Sequence, residues 1–160
     1  MISLLIYKFK KRLFLRVIKE RYNKNRLDIK CETCEQLMNL YIEQYKRTQK
    51  YIETVMEEYI NDGLEGITEE YVLIPYQKEM EWIKDSFKHD LKQYSNDALM
   101  YRVCAHRGWI TEKHLAEHFY NVYRNGRLFY DEHLKDFDVN LMTKKLKMRI
   151  KKKSLEKDFK

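Results

Sequence analysis

Apolar side chains recur along this chain at spacings of three and four, in long runs. Residues 2–22 (ISLLIYKFKKRLFLRVIKERY) set Leu4, Leu5, Ile6, Phe9, Leu13, Phe14, Leu15 and Val17 among Lys8, Lys11, Arg12, Arg16 and Lys19, which predicts a basic amphipathic helix. The polar stretch 23–30 interrupts it. Leu37, Tyr41, Tyr45, Thr48, Ile52, Val55 and Tyr59 then predict one long helix over 32–61, closed by Asp62 and Gly63. The pattern weakens over 64–75. Tyr71–Ile74 is expected to be extended, because a residue before proline avoids the helical region, and Pro75 suits the first position of the next helix. Met80, Ile83, Phe87 and Leu91 place that helix at 76–93. Ser95 reads as the N-cap of a helix over 96–107 that stops at Gly108, and Thr111 as the cap of another over 112–124. Asn125-Gly126 separates that helix from one at 127–137, and a last, increasingly basic helix covers 139–157.

The expected fold is therefore all-α: an irregular bundle of about six helices with basic N- and C-terminal extensions. Its parts are a basic amphipathic segment (1–30), the helical bundle (31–137) and a basic helix or tail (138–160). With 4 Gly and 1 Pro, the chain lacks the turn residues that many hairpins need. A composition 44% hydrophobic and 36% charged excludes both a disordered chain and a membrane bundle. No apolar run reaches the length of a transmembrane helix.

Charge adds a hint about partners. The net charge is +7, and the excess sits at the ends: residues 1–19 hold six Lys/Arg and no acid, and 144–153 hold seven and no acid. Such segments suit a nucleic acid, an anionic lipid or an acidic protein face. Three cysteines make no disulfide framework and point to a reducing intracellular compartment, mitochondrial or cytoplasmic.

Candidate chemistry is sparse. Cys31 and Cys34 form a CxxC, and a zinc site would need a second pair, for which only Cys104 and His106 offer themselves. That set is incomplete, so the cysteines are read as small buried hydrophobes, with no metal and no cofactor expected. His114-Leu-Ala-Glu-His118 resembles the HxxEH of inverzincin metallopeptidases, with Glu117 in the place of the base. That family draws its third ligand from a later helix of an α/β domain, and no sheet is predicted here. The sequence has no Gly-rich phosphate loop and no nucleophile elbow, so an enzyme is not expected.

Two stretches resemble known families. Ala98–Phe119 (ALMYRVCAHRGWITEKHLAEHF), a helix, a glycine-centred turn, a cap and L-A-E-x-F, resembles the first two helices of winged helix-turn-helix repressors. The resemblance implies inward packing of Leu115 and Phe119 and DNA binding through 112–124, with Lys113 and Arg124 as candidate contacts; the basic C-terminal segment adds Lys144, Lys145, Lys147 and Arg149. Ile6-Tyr7-Lys8, followed by Val17–Asn25, a polar link and Glu35–Tyr45, resembles the LYR-motif proteins, with Ile-Tyr-Lys standing for Leu-Tyr-Arg. Those are small mitochondrial helical accessory subunits and assembly factors. The resemblance implies a non-catalytic role within a larger protein assembly.

Interaction without catalysis is the leading expectation, as an accessory subunit or a phage-type binder of a host target. Nucleic-acid binding is the alternative. Leu4, Ile6, Tyr7, Lys8, Phe9, Arg12, Leu13 and Arg16 are the expected contacts, because the apolar face of the first helix is wider than a monomer's surface helix needs. The same helix suits peripheral contact with a membrane.

Overall fold

In the computed structural model, helix α1 (Leu27–Asp62) starts five residues before the expected position. Leu27 is 1% exposed and begins the series Leu27, Cys31, Cys34, Met38, so the apolar stripe recruits the end of the polar link into the helix. The model describes residues 2, 4–6, 8–13, 16, 26–62 and 69–158. These are almost entirely helical, with no strand among them. The chain is all-α, as its periodicity implies. Tyr7, Phe14, Leu15, residues 17–25 and Gly63 lie outside the described residues, and so does the side chain of Tyr59.

Three expected interruptions are absent, and the loss of two of them, at Ser95 and at Asn125-Gly126, joins the seven expected helical stretches into five, counting the N-terminal segment. Residues 71–74 are not extended: a π-helical turn (Glu69–Leu73) leads directly into α2 (Ile74–His106). Val72 and Leu73 are buried there, so packing holds the turn helical up to the proline. Ser95 caps nothing. It lies inside α2 and its hydroxyl donates to the Lys92 carbonyl at 2.9 Å, because Leu91, Tyr94, Ala98 and Tyr101 carry the stripe past it in phase. Asn125 and Gly126 likewise lie within α3 (Lys113–His133), where Tyr123, Gly126 and Tyr130 are buried in one continuous row. Helix α4 (Val139–Asp158) matches expectation closely.

The described chain packs as two compact units. One is formed by residues 1–38 and 92–125, the other by 39–91 and 126–160. In the first, the core is Leu27, Cys34, Met38, Ala98, Tyr101, Cys104, Ala116 and Phe119, all 2% exposed or less. Phe119 stands edge-on to Tyr94 with ring centres 5.8 Å apart, and lies tilted against Tyr101 at 6.1 Å. Leu115, expected to join Phe119 inside, is half-buried. Lys30 and Asp97 form a half-buried ion pair at 3.0 Å that ties α1 to α2.

In the second unit Met80, Ile83 and Phe87 face inward, as their spacing predicts, and Tyr76 is buried with them. Phe87 stacks on Tyr41 with centres 5.0 Å apart and meets Tyr130 edge-on at 5.6 Å. The Tyr41 hydroxyl donates to Asp90. Asp138 caps α4: its carboxylate accepts the Leu141 amide at 3.0 Å. Val139, Thr143 and Leu146 turn inward, and α4 packs against the 69–73 turn.

Candidate functional site

The described residues between 2 and 16 are helical and belong to the first unit. Their orientation starts at the other end of that unit, where α2 closes. Gly108 takes a left-handed conformation with φ of 69°, a region costly for any residue with a Cβ. Its amide donates to the Ala105 carbonyl at 3.1 Å, and the Trp109 amide to the Cys104 carbonyl at 2.9 Å. That pair of bonds is a Schellman motif, and it aims the Trp109 indole back along the helix end. Two cations sit over the ring: the Arg107 guanidinium at 5.3 Å and the Lys11 ammonium at 5.1 Å from its centre.

Lys11 is half-buried, and the other described residues between 2 and 16 are exposed. At 3.6 residues per turn, Lys11 lies opposite Ile2, Leu5, Ile6, Phe9 and Leu13, which fall within an arc of roughly 100°. Those five are 77%, 65%, 49%, 68% and 54% exposed, so the apolar arc faces away from the unit's own core. Lys8, Lys10, Arg12 and Arg16 are exposed too, with Lys8 and Arg12 along one edge of the arc, Lys10 along the other and Arg16 near its C-terminal end. Leu4 is 58% exposed on the Lys11 side. Among the expected contacts only Tyr7 lies outside the described residues. Five of the apolar residues marked in the sequence thus form one exposed stripe with basic edges.

The cysteines and histidines do not assemble into a site. Cys31, Cys34 and Cys104 are buried thiols, and none is in a disulfide. Burial, with the nearby Glu35 adding to it, pushes the Cys31 thiol up to about 11, and burial alone does the same for Cys104. Both are therefore protonated near neutral pH and poor nucleophiles or ligands. His106 is exposed and faces Glu117 at 3.5 Å, and Glu117 also lies 3.8 Å from Arg102. His118 points elsewhere, to Glu35 at 3.1 Å, while His114 is exposed. Glu117 and His118 of the HxxEH pattern thus serve separate contacts. Among the described residues no three His, Cys, Asp or Glu converge as ligands.

Lys113 and Arg124 are exposed on one face of α3 with Glu117 between them. α3 runs unbroken for 21 residues after the turn, so no further short helix follows it at 125–126. Lys144, Lys145 and Arg149 are exposed on α4 in the second unit, and Lys147 is half-buried there. No helix among the described residues is long and apolar enough to cross a membrane. No family model, curated protein or solved structure matches this chain.

Proposed function

We propose that this chain is a non-catalytic interaction protein, an accessory subunit held by a larger protein through its N-terminal helix in a reducing compartment. The observation that carries the reading is the outward-facing row Ile2, Leu5, Ile6, Phe9 and Leu13, turned away from the core while Lys11 is anchored on Trp109. Anchors at i, i+3, i+4, i+7 and i+11 are those of an amphipathic helix that lies in an apolar groove of its partner. Lys8, Lys10, Arg12 and Arg16 at its edges suit a groove rimmed by carboxylates, which would speed encounter and fix register. Accessory roles of this kind are those of the LYR-motif proteins that residues 6–45 resemble.

The test is affinity capture from the native source with the full-length protein, beside an Ile6→Asp, Phe9→Asp variant of the same fold. A protein recovered in stoichiometric amount with the wild type and lost with the variant supports the reading. Equal recovery with both places the interface elsewhere. Salt-sensitive recovery of nucleic acid in place of protein favours the alternative, with Lys113 and Arg124 on α3 and Lys144 and Lys145 on α4 as its contacts.

A further inference from the structure

Helix α4 buries one side and exposes the other in a repeating pattern. Val139, Thr143 and Leu146 are 7%, 4% and 5% exposed and face the core of their unit. On the opposite side Leu141, Met148 and Leu155 stand in a single line, seven residues apart, and are 50%, 70% and 59% exposed. A seven-residue step turns an α-helix by only about 20° short of two full turns, so the three side chains form a continuous row about 21 Å long. Lys144 and Lys151 form a parallel row on one side of it, Lys145 and Lys152 on the other, and all four are exposed. The outward surface of α4 is thus an apolar ridge between two lysine rows.

We infer that this face of α4 lies on an anionic lipid bilayer, parallel to its plane. The apolar row would enter the region between headgroups and acyl chains, while the lysines on both flanks keep their stems along the apolar boundary and their ammonium groups among lipid phosphates. Charge and apolar complementarity together favour this occupant over a second copy and over a duplex. A second copy of the same face would bring lysine rows against each other. Duplex phosphates would meet the lysines but leave the Leu141–Met148–Leu155 row in water. The ridge belongs to α4 alone and does not depend on the N-terminal helix.

Flotation of the full-length protein with vesicles of phosphatidylcholine, with and without about 30% phosphatidylserine, tests it. The partition coefficient onto the anionic vesicles should exceed that onto neutral ones by roughly several hundredfold, about fivefold for each of the four flanking lysines. A Leu141→Ala, Met148→Ala, Leu155→Ala variant keeps every charge and should lose most of that retention. A Lys144→Gln, Lys145→Gln, Lys151→Gln, Lys152→Gln variant should lose it too, by roughly fivefold for each lysine. All seven positions are exposed, so both variants should melt as the wild type does. The N-terminal segment is the same in all three proteins and cancels in the comparison. Equal retention on the two vesicle types overturns the proposal. So does retention that the alanine variant keeps, or preferential binding of duplex DNA over anionic vesicles.

Discussion

Lys11 holds its ammonium 5.1 Å from the centre of the Trp109 ring and is the one half-buried residue among those described between 2 and 16. A cation over an indole at a partly exposed site contributes about 0.5–1 kcal/mol. Trp109→Leu should therefore release the segment locally without unfolding the rest. Trypsin cleavage at Lys8–Arg16 should rise by roughly two- to fivefold if opening is fast relative to cleavage, with the urea midpoint nearly unchanged. An unchanged cleavage rate would mean that the ring does not hold the helix.

Gly108 places Trp109, so it should matter to the same readout. Its φ of 69° is a conformation that costs a residue with a Cβ about 1–2 kcal/mol. The added methyl itself meets only the end of the Lys113 side chain at 4.0 Å, so backbone strain alone sets the cost. Gly108→Ala should lower stability to urea by that amount and also speed cleavage of the N-terminal segment. Gly108→Asn, which tolerates the left-handed region, should recover part of both.

Ser95 and Asp138 look alike as sequence signals and behave differently in the fold. Asp138 bonds the Leu141 amide at the start of α4, and Asp138→Ala should cost about 1 kcal/mol. Ser95 lies inside α2 and bonds back to the Lys92 carbonyl, so Ser95→Ala should be neutral or stabilising by up to about 0.5 kcal/mol. Denaturant midpoints of the two variants, measured side by side, check both; a loss near 1 kcal/mol at Ser95 would restore it as a cap.

Burial raises the Cys31 and Cys104 thiols from 9.0 to about 11, which gives the fold a dependence on alkaline pH. Well below 9.0 these thiols are protonated in both the folded and the unfolded chain. As pH rises past that value the unfolded chain gives up protons that the folded chain keeps, so stability falls, by up to about 1.4 kcal/mol per pH unit for each thiol. Urea midpoints at pH 8 and pH 10 should differ accordingly, and Cys31→Ala should shrink the difference. A thiol reagent at pH 8 should react with Cys31 and Cys104 slowly until urea is added.

Much of the fold was legible because long helices announce themselves by period. Met80, Ile83, Phe87 and Leu91 are buried where their spacing puts them. Choosing among neighbours was harder: Met38 and Met56 are buried, whereas Leu37 and Val55 are half-buried, a shift of one residue that a 3.6-residue repeat does not resolve. Ser95 and Asn125-Gly126 resemble breaks because their local preference favours ends and turns, and tertiary burial on both sides overrides it. Leu27 was hidden by its polar neighbours. At the candidate site the apolar residues were visible, but the side they present depends on Trp109, far along the chain, which only the folded arrangement brings to Lys11. The ridge on α4 could have been found in sequence by asking for period seven among Leu141, Met148 and Leu155.

The row Ile2, Leu5, Ile6, Phe9 and Leu13 is a surface and not core, and urea unfolding of the full-length Phe9→Asp variant checks this. Phe9 is 68% exposed, so the variant should unfold within about 0.5 kcal/mol of the wild type, with the same cooperativity. A loss of about 3–5 kcal/mol, the cost of emptying a buried phenylalanine site, would show that the helix packs into its own fold and would contradict the account.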